Sequence, residues 1–225
     1  HHNHLMRRHI AFLHTSPVHV ETFGRLIKAA DPTLEVEHVV AEVLLTDAQR
    51  LGASAPSLVK RVQDAMVDAA SNGAALVICT CSTIGGAAER TPTSAGFAAI
   101  RIDRAMADRA VALGPRILLV AALESTLGPT AELIHESAAA LRSEVELELL
   151  LVAGAWSHFL QGDRTAYAEA VAAAVRAATS RASVVVLAQA SMAPAVELLS
   201  DLDVEVLANP LLGVQSALAY LRCDA

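Results

Sequence analysis

The chain has 225 residues, a formal net charge of −7 and three cysteines. That length can bury a sizeable core as one large domain or two small ones. The negative balance, with no Lys/Arg-rich block, argues against nucleic acid as a partner. Three cysteines, two of them one residue apart, build no disulfide framework. Every long apolar run is broken by Arg, Glu, His or Gly, so no membrane span is expected, and the location expected is cytoplasmic, with no signal peptide. His1-His2-Asn3-His4, ahead of Met6, reads as the remnant of an expression tag and is set aside from metal chemistry.

In chain order, strands are predicted over His9–His14, Glu35–Val40, Ala74–Ile78, Ala98–Ile102, Arg116–Ala122, Glu146–Val152, Ser183–Leu187 and Val204–Leu207. Helices are predicted over Val20–Ala30, Ala55–Ser71, Asp103–Leu113, Gly128–Arg142, Thr165–Arg181, Pro194–Leu199 and Pro210–Arg222. In the second of these, Leu58, Val59, Val62, Ala65, Met66 and Ala69 fall at the three-to-four spacing of one buried face, and Gly73 follows its end. Strands alternating with helices through short connections imply parallel sheet, hence the α/β class.

The order also repeats. The strand ending in His14-Thr15-Ser16 matches the one leading to Glu124-Ser125-Thr126, and the strand before Cys81-Ser82-Thr83 matches the one before Gln189-Ala190-Ser191. The two members of each half lie about 67 positions apart, and Ile102-Asp103 has its counterpart in Ala208-Asn209-Pro210. Two similar α/β lobes are expected, with a cleft between them, the first from residues 6–100 and 207–225 and the second from 101–206. Their polar strand ends (Thr15, Ser16, Ser82, Thr83, Ser125, Thr126, Gln189, Ala190 and Ser191) are the candidate substrate-binding residues.

Cys81 is the candidate reacting group. It follows a buried strand and precedes a helix start, where unpaired N–H groups would favour its thiolate. Ser82, Thr83 and the N–H groups after them could hold a carboxylate beside it. Cys79 can equally be a small core residue, and Arg101 and Arg104 are expected to be solvated, although either could meet a substrate carboxylate. His14-Thr15-Ser16-Pro17 lacks the glycine that a pyrophosphate would need. No second Cys/His pair lies at zinc spacing, and no Gly-x-Ser-x-Gly is present. No metal or nucleotide cofactor is expected.

Ala75-Leu76-Val77-Ile78 leading to Cys81-Ser82-Thr83, Ile117–Ala122 followed by Ser125-Thr126, and Val184–Leu187 together resemble the aspartate/glutamate racemase superfamily, which includes hydantoin racemases, maleate isomerases and arylmalonate decarboxylases. The resemblance runs from His9 to Arg222. It implies two α/β lobes about a pseudo-twofold axis and proton transfer next to a carboxylate without pyridoxal phosphate. The partner implied is a small carboxylate substrate, and a homo-oligomer is possible. Members of the family use two thiols, one from each half. Here Cys81 matches the first, and Gln189 stands where the second is expected. Three readings follow: a racemase or epimerase whose second acid/base is His14, His19 or Glu124; a single-cysteine decarboxylase or cis-trans isomerase; or a non-catalytic small-carboxylate binder. His14 is the candidate second catalytic residue, since imidazole titrates near neutrality.

Overall fold

The computed structural model describes residues 9–94, 96–179 and 181–224; the His1–His4 segment lies outside them. The chain divides into two compact units. One ends at Asp103 and resumes at Pro210, and the other is Arg104–Asn209.

The first unit runs β1 (His9–His14), α1 (Val18–Ala30), β2 (Glu35–Val40), α2 (Glu42–Leu51), α3 (Pro56–Ala69), β3 (Leu76–Cys79), α4 (Gly85–Glu89) and β4 (Ala98–Arg101). Its strands are parallel and ordered β2-β1-β3-β4. All of β3 is buried, as a central parallel strand covered on both faces should be. Alternate residues serve opposite faces. Ala11 and Leu13 of β1, with Val77 and Cys79 of β3, join Leu44, Leu58, Val62 and Met66 in one apolar cluster. Phe12 and His14 point the other way, against Phe23 of α1.

The second unit runs α5 (Arg104–Leu113), β5 (Arg116–Ala121), α6 (Glu124–Ala140), β6 (Glu146–Leu151), α7 (Ala155–Leu160), α8 (Arg164–Ala178), β7 (Val184–Leu187), a 3₁₀ turn (Ala190–Met192), α9 (Ala195–Leu198) and β8 (Glu205–Ala208). Its sheet is again parallel, in the order β6-β5-β7-β8. Tyr167, Val171 and Val175 of α8 pack on Leu118, Val120, Val185 and Leu187. The last helix, α10 (Asn209–Asp224), carries the chain back to the first unit. There Gly213 lies so close to Ile102 that a Cβ would stand 2.2 Å from the Ile102 carbonyl oxygen.

Helices α2 and α7 are additional to those the sequence predicts. Helix α6 begins at Glu124 rather than Gly128, so Ser125 and Thr126 lie in its first turn. Gly128-Pro129 looks like a helix start because proline suits the first turn. Instead Pro129 sits inside the helix, at the cost of the N–H that would reach the Ser125 carbonyl. Among the described residues no helix is long and apolar enough to cross a membrane.

Candidate active site

In the first unit β1 is followed by β2 on one side, while the next strand, β3, lies on the other. The connections leaving β1 and β3 therefore diverge, which opens a crevice at the carboxyl ends of two adjacent strands. Thr15 and Cys81 stand at those ends. The Thr15 hydroxyl and the backbone N–H groups of Thr83 and Ile84 are the donors close enough to the Cys81 sulfur to favour its anion. The residue is 9% exposed.

Burial pushes the Cys81 thiol up from its ordinary range, further than these three donors pull it down, and the Asp103 carboxylate adds to the rise. The sequence expectation of a thiolate favoured by a helix start is corrected here. Helix α4 is only 5 residues long, so little dipole accumulates, and burial favours the neutral thiol over the thiolate. Cys79 is fully enclosed in the apolar cluster, and burial pushes its thiol up as well.

His14 has no exposed surface. Its Nδ1 pairs with Thr80 Oγ1 at 2.7 Å and its Nε2 with His38 Nδ1 at 2.8 Å. The ring lies beside both Phe12 and His38, with centroids 5.4 and 5.1 Å away. Burial, then the neighbouring His38 and His19, lower its pKa to about 3. A ring so placed is neutral at pH 7 and ties the end of β1 to the end of β3. Ser16 is half-buried, while Ser82 and Thr83 are buried. Arg101 is not solvated: it is buried in a two-pronged pair with Asp103. Arg104 bonds to Glu136 and Ser137.

The second unit repeats the frame with other side chains. Leu13 pairs with Cys79 across the first sheet, and Val120 pairs with Leu187 across the second. Counting on from these rungs, Gln189 occupies the position of Cys81, and Ala122 that of Thr15. Gln189 Oε1 accepts from the N–H groups of Ala122 at 2.7 Å and Leu123 at 3.0 Å. The carboxamide thus laces β7 to β5, as the His14–Thr80 pair laces β3 to β1. Ala190 opens the 3₁₀ turn. Ser191 Oγ bonds to the Tyr167 hydroxyl at 2.7 Å. Ser125 Oγ is buried without a partner among the described residues, Thr126 is buried, and Glu124 is exposed. No group of three His, Cys, Asp or Glu able to hold a metal ion occurs among the described residues.

No protein-family model and no curated protein matches the chain by sequence. Solved structures do match by shape. A glutamate racemase isoform from Bacillus anthracis superposes with a TM-score of 0.70 at 14% identity, over 96% of this chain and 82% of its own. Allantoin racemase from Pseudomonas fluorescens gives 0.62 at 19% identity, over 96% and 92%. A glycine-to-cysteine mutant of arylmalonate decarboxylase, in a sulfate-associated form, gives 0.59 at 17%, over 96% and 94%. The fold is that of the aspartate/glutamate racemases.

At the equivalent strand end, the first unit carries a thiol and the second a carboxamide. Sequence reasoning missed Thr80 and His38, the partners of His14, and Tyr167, the partner of Ser191. For Thr80 a signal exists, since a hydroxyl between two cysteines at the end of an apolar strand must find a partner once buried. For His38 and Tyr167 the contact depends on which strand lies beside which, and local pattern does not carry that.

Proposed function

We propose that the chain is a cofactor-independent isomerase of the aspartate/glutamate racemase type, moving a proton at the carbon next to a carboxylate of a small amino acid or related acid, with Cys81 as the reacting thiol. The observation that carries this reading is the Cys81 sulfur itself, at a strand end of a racemase fold with one hydroxyl and two N–H groups aimed at it. As a thiolate, Cys81 would take the proton, and the C–H electron pair would pass into the carboxylate as an enediolate. Ser82 and Thr83, next to Cys81 in the chain, are the groups to orient that carboxylate and disperse its charge.

Inversion needs a second proton carrier on the opposite face. Gln189 has no proton to exchange at neutral pH, and a neutral His14 engaged at both nitrogens is a poor one. One observation favours a second reading, decarboxylation: burial keeps Cys81 in its protonated form. There the C–CO₂ bond breaks, its electron pair forms the enediolate of the remaining carboxylate, and the Cys81 S–H supplies the proton to carbon.

Proton NMR in D₂O tests both. The α-proton of Asp, Glu, a hydantoin and allantoin would be followed with wild type and Cys81→Ser, beside CO₂ release from arylmalonates. Exchange lost in Cys81→Ser supports the isomerase reading, and Cys81-dependent CO₂ release supports the decarboxylase reading. Tight binding of these acids with neither reaction would refute both and leave a carboxylate-binding protein.

A further inference from the structure

Arg101 and Asp103 form an ion pair removed from water, with exposures of 3% and 0%. The guanidinium grips the carboxylate with two bonds, Nε to Oδ1 at 2.6 Å and Nη2 to Oδ2 at 3.1 Å. Burying two such charges is costly even when they are paired, and the proton chemistry above uses neither. The surroundings say what they do. Arg101 stands opposite Cys79 in the sheet register, and the N–H of Ile102 bonds to the Cys79 carbonyl at 2.9 Å. From there Arg101 Nη2 donates to the Ser82 carbonyl at 3.4 Å.

The next turn of backbone lies directly on the guanidinium. A Cβ at Gly85 would stand 2.9 Å from both Nε and Nη2, closer than any real side chain tolerates, and one at Gly86 would stand 3.6 Å from Nη1. A side chain at 85 would therefore press on the arginine beneath it. The stretch from Ser82 to Gly85 is also the one whose Thr83 and Ile84 N–H groups reach the Cys81 sulfur.

We propose that Arg101, neutralised by Asp103, is a positioning residue for Cys81: it seats the Ser82–Gly85 turn so that two backbone N–H groups face the sulfur. The inference rests on the reading of Cys81 as the reacting group, and its test reads the thiol rather than turnover. The charged or titratable groups around that thiol are Cys79 from β3, Arg101 and Asp103 at the end of β4, His14 at the end of β1 through Thr80, and Arg90 beyond α4. Helices α2 and α3 present apolar side chains to the same cluster.

The experiment is the pH dependence of Cys81 alkylation by iodoacetamide, with the adduct located by tandem mass spectrometry so that Cys79 and Cys223 are counted separately. Wild type is compared with Arg101→Lys, Gly85→Ala and Asp103→Asn. Arg101→Lys and Gly85→Ala displace the N–H donors and should raise the midpoint by about one pH unit. Asp103→Asn removes a negative charge near the sulfur and should lower it. Simple loosening of the fold would instead move all three the same way. Opposite shifts support the proposal; a common direction, or unchanged midpoints with a lowered Tm, overturns it. Should Arg101→Lys fail to fold, Gly85→Ala and Asp103→Asn must still diverge. Divergence without turnover on any carboxylate would refute the proposed function alone, and turnover without divergence would refute the positioning role alone.

Discussion

His14 makes folding stability depend on pH below its ordinary titration range. Its pKa falls from 6.5 to about 3 on folding. The folded state therefore favours the neutral ring, so the stabilisation is fully present above pH 6.5 and is lost as the pH falls toward 3. One proton taken up preferentially by the unfolded chain costs up to roughly 1.4 kcal/mol per pH unit, so lowering the pH from 6.5 to 5 should remove about 1.6 kcal/mol. His38, also lowered by burial, acts with the same sign. The assay is urea unfolding at pH 7.5, 6.5, 5.5 and 5.0 on wild type and His14→Asn. The variant loses absolute stability through its broken contacts, but its slope with pH should be shallower. Side-chain NMR should find the His14 ring neutral throughout. Equal slopes, or a His14 resonance titrating near pH 6.5, would refute the reasoning.

Gln189→Leu leaves the N–H groups of Ala122 and Leu123 without their acceptor, which should cost about 2–4 kcal/mol in urea unfolding; a loss under about 0.5 kcal/mol would mean the carboxamide is not a structural lace. Gly213→Ala sets a methyl group 2.2 Å from the Ile102 carbonyl oxygen and 2.5 Å from its Cδ1. Backbone has to yield there, and a loss of about 3 kcal/mol or more is expected in thermal unfolding; an unchanged Tm would contradict the close packing of α10.

Much of this fold is legible in the sequence because its signals are local. Val-Val-Val-Leu at 184–187 and Leu-Val-Ile-Cys at 76–79 are buried on both faces, and such runs announce central parallel strands without any partner in view. Helix α2 escaped because only Leu44 and Ala48 of its face are buried. Those two stand four apart, with Gly52 just beyond the end, and together form a faint helical signal. Helix α7 has six residues and a single buried one, too short for a period to show. At the candidate site, the matching strand-end places of Cys81 and Gln189 are readable from their order along the chain. The environment of Cys81 is not, because its ionisation depends on Thr15, Asp103 and the enclosing core, groups that sequence distance keeps apart. Likewise, Arg101 looks like any surface arginine until the register sets it opposite Cys79.

The path of the chain between the units constrains the order of assembly. Everything from Arg104 to Asn209 is one uninterrupted stretch, whereas the first unit lacks the helix carrying Gly213 until α10 is made. On a ribosome, the unit that starts first must finish last. The internal unit can close around Tyr167 and Gln189 while the Cys81 half still waits for α10. A chain released after residue 209 would hold every residue of the carboxamide half but an unfinished thiol half.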